Sequence, residues 1–210
     1  MAVMLSLHPQ SPQSRHIQRA VESLRDGGVV VYPTDTVYGL GCDITSKHAL
    51  ERIVRIKGRD PKKPLSFVCA DLTHISRYAR VSNVAYRILK RFLPGAYTFV
   101  LEASSEVPKM LLTRQKTVGI RVPDHAVCSA LVKELDNPIL STSANPAGVE
   151  PLNDPREIQE ALGKQVDFIL DSGILTRVPS TVISLVDDRV QVLREGAGDT
   201  AYFRELQESP

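Results

Sequence analysis

The sequence predicts an α/β chain in one domain: an open, twisted mixed β-sheet with flanking helices. Three observations carry this. The chain has 210 residues, 42% of them hydrophobic and 24% charged, which suits one sizeable core better than two small ones. Helical apolar spacing and short β-rich runs take turns along the chain. The last two strand-like runs, 181–186 and 190–193, meet across Asp187-Asp188-Arg189 as a hairpin, so the sheet is mixed rather than purely parallel.

The elements follow in order. Ser14 opens a helix whose face is Ile17, Ala20, Val21 and Leu24, and Gly27-Gly28 ends it. Val29 to Tyr32 reads as a buried strand stopped by Pro33. A helix from Ser46 to Ile56 turns Ala49, Leu50, Ile53 and Val54 inward. Leu65 to Cys69 is a strand, and 82–92 is a helix carrying Ala85, Ile88 and Leu89. Strands are expected at 97–101 and 117–122. Asp124 caps a helix with Val127, Cys128, Leu131 and Leu135 on one face, and 138–140 is a short strand. Asp154-Pro155 is a cap followed by proline at the first helical position, ahead of Ile158, Ala161 and Leu162. Val166 to Leu170 is a strand. Residues 1–13 are expected as an N-terminal extension to a domain spanning 14–198, and 199–210 as a loosely held tail.

Composition narrows the function. With 26 Lys and Arg against 24 Asp and Glu, the net charge is +2, which gives no long basic stripe for nucleic acid. No run approaches the roughly 20 apolar residues that span a bilayer, and the opening residues lack the basic start of a signal peptide. Cys42, Cys69 and Cys128 are widely spaced and odd in number, which favours a reducing, cytoplasmic setting over a disulfide framework. The five histidines show no ligand spacing, so no structural metal site is expected. Neither a Gly-x-Gly-x-x-Gly fingerprint nor a phosphate-loop lysine motif occurs.

Four polar clusters remain, at predicted strand ends where open α/β sheets place ligands. Pro33-Thr34-Asp35-Thr36-Val37-Tyr38-Gly39-Leu40-Gly41 follows the first buried strand, as a plain turn or as a ligand loop. Lys57-Gly58-Arg59-Asp60-Pro61-Lys62-Lys63 sets four cations at a helix C-terminus, either to grip phosphate or to offset the helix dipole. Ser141-Thr142-Ser143-Ala144-Asn145 holds more hydrogen-bonding side chains than capping needs. Arg121 and Arg194 each end a strand.

Together, in this order, the clusters resemble the YrdC-like family, which includes the threonylcarbamoyl-AMP synthases. The likeness rests on residues 32–41, Lys57-x-Arg59 with Pro64-Leu65, Pro94-Gly95, Arg121-Val122-Pro123, Ser141 to Asn145, Pro179-Ser180-Thr181-Val182 and Arg194-Glu195-Gly196. The two ends, with Cys42 and Cys69, are similar to the YciO branch. The resemblance implies a concave, positively lined cavity and a nucleotidyltransferase that uses ATP, bicarbonate and L-threonine, linked to N6-threonylcarbamoyladenosine formation in tRNA. By the same likeness, Lys57 and Arg59 are the catalytic cations, and with Lys63 they meet the triphosphate and its Mg²⁺. Thr117, Ser143, Asn145 and Arg194 line the nucleotide; Thr36, Arg121, Ser141 and Thr181 hold threonine. The chain departs from the pattern at Val68, where the synthases have histidine, at Ala96, and around Glu150-Pro151. The likeness admits two other activities: binding of double-stranded RNA or tRNA without catalysis, and ligand binding or carbamoyl transfer to another acceptor.

Overall fold

The computed structural model describes residues 1–58, 65–111, 115–146 and 148–208. Among these lie ten strands in one mixed sheet. They are β1 (Val3–Ser6), β2 (Val30–Tyr32), β3 (Gly39–Asp43), β4 (Ser66–Val68), β5 (Tyr97–Glu102), β6 (Thr117–Arg121), β7 (Ile139–Ser143), β8 (Phe168–Asp171), β9 (Thr181–Ser184) and β10 (Gln191–Arg194). Their spatial order is β1-β8-β2-β3-β7-β4-β6-β5-β9-β10. The four pairs β1–β8, β8–β2, β4–β6 and β5–β9 are parallel and the others antiparallel, including the expected β9–β10 hairpin.

Seven helices flank the sheet among the described residues: α1 (Ser14–Arg25), α2 (Lys47–Ile56), α3 (Leu72–Tyr78), α4 (Asn83–Phe92), α5 (Ala126–Leu135), α6 (Pro155–Leu162) and α7 (Ala201–Glu208). Side chains in a strand alternate between faces, and the core splits accordingly. Val31, Phe67, Ile120 and Leu140 belong to a large apolar cluster with Ile53 of α2, Ile75 of α3, Leu89 of α4, Ile158 of α6 and Phe203 of α7. Tyr32, Val68 and Ile139 belong to a smaller one with Leu24 of α1 and Leu131 of α5. One face is therefore covered by five helices. Among the described residues, the other is covered only where α1 and α5 lie.

The helix caps follow the sequence. Ser46, Ser82 and Asp154 accept hydrogen bonds from the first turns of α2, α4 and α6, and proline stands at the first position of α6. Two caps differ. Gln13 rather than Ser14 flanks α1, and α5 begins after His125 rather than Asp124, whose side chain does not cap it. Asp124 instead donates its backbone N–H to Asp35 Oδ2 at 3.1 Å.

The sheet is larger than the sequence predicts. Within the expected N-terminal extension, residues 3–6 form an edge strand paired with β8. Gly39-Leu40-Gly41, placed by the sequence in a turn or ligand loop after β2, belongs instead to the central strand β3. A Cβ on Gly39 would lie 2.7 Å from the Tyr32 ring, and one on Gly41 would lie 2.4 Å from Ile139 Cγ2. The absence of side chains lets Tyr32 lie across β3. The expected loose tail is α7, and its Phe203 is fully buried against Phe92, Tyr97 and Phe99. Amphipathic pattern in a short terminal helix is weak evidence without knowledge of the aromatic cluster it meets.

The three cysteines are buried and unpaired. Burial pushes the Cys42 and Cys128 thiols up to about 12 and raises Cys69 as well. They are therefore unreactive thiols at neutral pH. A thiol-specific disulfide reagent at pH 8 is expected to titrate none of them in the native protein and all three in denaturant. Because the folded thiols ionise later than unfolded ones, stability holds below pH 9 and falls as pH rises toward 12; unfolding midpoints measured from pH 8 to 11 check the sign.

Candidate functional site

The part of the sheet face that α1 and α5 leave open forms a cavity of about 890 Å³. Its floor follows from strand alternation. On β6, Thr117, Gly119 and Arg121 face the cavity, while Val118 and Ile120 face the five-helix core. Ser66 and Val68 of β4, Thr98 and Val100 of β5, and Ser141 and Ser143 of β7 complete the floor, with Ser180, Val182 and Arg194 at the β9–β10 side. Val68 stands at the border: it lines the cavity and packs into the α1–α5 cluster at 2% exposure. Gly119 leaves the floor low between Ser66 and Thr98, whose atoms an added Cβ would meet at ordinary contact distance.

Two arginines dominate the electrostatics. Arg121 is held from behind: its Nη2 donates to Asp35 Oδ1 at 2.5 Å, to Thr36 Oγ1 at 2.6 Å and to Thr34 Oγ1 at 3.4 Å. Asp35 is fixed in turn by the Asp124 backbone N–H. Arg121 Nε is buried with no hydrogen-bond partner among the described residues. Arg194, at the far strand, donates Nη2 and Nε to the Ser180 carbonyl at 2.8 and 3.2 Å. Partial burial and the positive charge of Arg121 both lower the Arg194 pKa. Two positive charges in a cavity lined, among the described residues, by no carboxylate favour a bound anion.

The hydroxyls are oriented rather than merely present. Tyr32, wholly buried, donates its O–H to Ser141 Oγ at 2.5 Å. That leaves the Ser141 hydrogen to point at a ligand acceptor. Burial holds the Tyr32 phenol protonated well above its usual range. Thr98 and Ser180 share a hydrogen bond of 2.8 Å.

The residues singled out in the sequence divide three ways. Thr117, Arg121, Ser141, Ser143 and Arg194 line the one cavity. Four others stand behind it and hold what lines it. Thr36 accepts from Arg121; Thr181 donates to the Gly198 carbonyl at 2.6 Å and accepts from the Gly196 N–H at 3.0 Å, closing the turn after Arg194. Lys57, only 8% exposed, donates Nζ to the Asn145 carbonyl at 2.7 Å, to Asn145 Oδ1 at 2.8 Å and to the Ser143 carbonyl at 3.0 Å. Asn145 thus joins Lys57 to Ser143. Arg59 and Lys63 lie outside the described residues.

Sequence reasoning missed Asp35, Ser66, Thr98 and Ser180. Asp35 and Ser180 sit inside motifs that were noted, and the alternation of β6 was enough to find Gly119. Ser66 and Thr98 become visible only through the register, which sets Ser66 beside both Gly119 and Ser141, and Thr98 beside Val182.

This architecture has known counterparts. The Sua5_yciO_yrdC family, described as "Telomere recombination", matches residues 22–196. The crystal structure of Escherichia coli YciO superposes with a TM-score of 0.92 at 46% identity, covering 97% of this chain and 100% of that one. A threonylcarbamoyl-AMP synthase of Chromobacterium violaceum is 39% identical over 183 residues, 87% of this chain and 95% of its own length. The crystal structure of P. abyssi Sua5 complexed with L-threonine superposes with a TM-score of 0.91 at 28% identity, covering 99% of this chain and 61% of that one. The family match, the synthase-level identity and the shared sheet agree: the chain belongs to the Sua5/YciO/YrdC family.

Proposed function

We propose that the protein is a nucleotidyltransferase that makes threonylcarbamoyl-AMP, or the same adduct of a close amino-acid analogue, from ATP, bicarbonate and L-threonine, for threonylcarbamoylation of tRNA adenosine. The observation that carries this reading is a hydroxyl-lined cavity that holds both Arg121 and Arg194 and, among the described residues, no carboxylate. Relatives named threonylcarbamoyl-AMP synthase and a threonine-bound Sua5 support it.

The chemistry divides along the cavity. Arg121, with the Ser141 O–H beside it, takes the amino-acid carboxylate. The amine combines with bicarbonate, losing water, to give a carbamate. A carbamate oxygen then attacks the α-phosphorus of ATP; that P–O bond forms, the bridging bond to the β-phosphate breaks, and pyrophosphate leaves. Catalysis here is positioning plus charge stabilisation, which needs no side-chain nucleophile. Arg194 stands where phosphate charge develops, and Val100 and Val182 offer an apolar floor for the base. Arg59 and Lys63 are assigned to the triphosphate. Mg²⁺ enters as part of the nucleotide substrate, since the described residues of this lining offer cations and hydroxyls to the phosphates rather than carboxylates to a metal.

Pyrophosphate release is the test. It is expected only when ATP, Mg²⁺, bicarbonate and threonine or its analogue are all present. Release independent of amino acid, or none from a protein that binds ATP, sinks the reading. Arg194→Ala is expected to raise KM for ATP about 10- to 100-fold, a lost charged hydrogen bond of about 1.5–3 kcal/mol, with the unfolding midpoint little changed.

A further inference from the structure

Lys57 is the cation that the sequence sets first among the phosphate-binding candidates, yet its ammonium is engaged by the turn after β7, and Lys57 is not among the described residues that line the cavity. Nζ donates to three oxygens of the turn that ends β7 at 2.7–3.0 Å. An ammonium has three N–H donors, and a buried one requires acceptors of this kind. Its place at the C-cap of α2 adds the favourable end of the helix dipole.

The consequence runs through Asn145. The Asn145 Oδ1 faces Lys57 and Ser143, while its Nδ2 donates to the Val149 carbonyl at 2.5 Å and the Pro146 carbonyl at 3.1 Å. Reversing the amide would set an NH₂ against an ammonium and an oxygen against two carbonyls, so only one orientation satisfies the site. Ser143 donates its hydroxyl hydrogen to Asn145 Oδ1 at 2.5 Å. With that hydrogen committed, only its lone pairs are left for the cavity. Ser141 differs, because Tyr32 donates to it and so leaves its own hydrogen free to be donated. The two serines of β7 therefore present a donor and an acceptor two residues apart.

We propose that Lys57 is a positioning residue: it locks the Asn145 amide, which fixes Ser143 as an acceptor, so the cavity takes a nucleoside N–H or O–H at Ser143 and rejects a phosphate oxygen there. This rests on the nucleotide reading above and narrows it. The nucleoside, not the triphosphate, lies along the end of β7, and Lys57 acts on it through Asn145 and Ser143.

Calorimetric affinities of adenosine, AMP and ATP for the wild type, Lys57→Met, Asn145→Ala, the double variant and Ser143→Ala test this. Lys57→Met is expected to weaken all three ligands by the same factor, about tenfold, because the lost contact is to the nucleoside. The double variant is expected to bind no more weakly than Asn145→Ala alone, as two residues acting through one path do not add. A loss for ATP at least tenfold greater than for adenosine makes Lys57 a phosphate ligand and overturns the proposal, as do multiplicative effects of Lys57→Met and Asn145→Ala. Should Lys57→Met fail to fold, Ser143→Ala decides: equal losses for adenosine and ATP support the proposal, and a loss confined to ATP overturns it. Nucleotides that fail to bind the wild type overturn the nucleotide reading together with this inference; selective loss of ATP overturns only the role of Lys57.

Discussion

Replacing Arg121 with alanine is expected to abolish amino-acid-dependent pyrophosphate release and to destabilise the fold by about 3–5 kcal/mol. The two effects have different causes. The guanidinium and the Asp35 carboxylate are both largely buried, 10% and 12% exposed, and meet at 2.5 Å. Removing one leaves the other charge without its partner in a poorly solvated place, and that uncompensated charge is the stability cost. The activity cost comes from losing the group that faces the amino-acid carboxylate. The double variant Arg121→Ala/Asp35→Asn separates them. It is expected to regain most of the lost stability in denaturant titration and none of the activity. Recovery of activity in the double variant would show that Arg121 serves the fold alone.

Phe203→Ala is expected to cost about 3–5 kcal/mol, as large-to-small changes at fully buried aromatics do. The side chain joins α7 to Phe92, Tyr97 and Phe99. The segment between α7 and β10 is tied to the site: Thr181 holds both Gly196 and Gly198, and Glu195 pairs with Arg204 of α7. Loosening α7 therefore loosens the support of Arg194, and KM for ATP is expected to rise in parallel with the stability loss. Arg204→Ala, which breaks only an exposed ion pair, is expected to change stability little. Equal effects from the two variants would place the anchor of α7 in the ion pair rather than in the aromatic cluster.

The fold was legible wherever one physical signal dominated. The helices α1, α2, α4, α5 and α6 carry apolar faces at helical spacing, and most of the strands are short apolar runs between breakers. β3 was not legible. Its Gly39-Leu40-Gly41 reads as a loop by propensity, and it is a strand because the Tyr32 ring must cross it to reach Ser141. β1 and α7 were missed for a related reason. Each is stable only through contacts with residues more than a hundred positions away, Phe168 to Asp171 for β1 and Phe92 to Phe99 for α7.

At the site, the sequence marked polar residues at strand ends, and five of them line one cavity. It did not separate those that face the cavity from those that hold them there. Thr36, Thr181, Lys57 and Asn145 have the same residue types and spacing as ligand contacts. Only the hydrogen bonds show that their polar groups are directed at Arg121, the 196–198 turn and Ser143. The same bonds give the two β7 serines opposite polarity, which no sequence pattern contains.

The central claim is that one cavity joins an amino-acid carbamate to a nucleotide. Carbon-labelled bicarbonate, supplied with threonine, ATP and Mg²⁺, tests it directly when the nucleotide product is isolated and its label and mass are read. The account predicts one labelled carbon per adenylate, in an adduct whose mass also contains the amino acid, with one pyrophosphate released for each. Unlabelled AMP or ADP as the only nucleotide product, with the label left in bicarbonate, would contradict it.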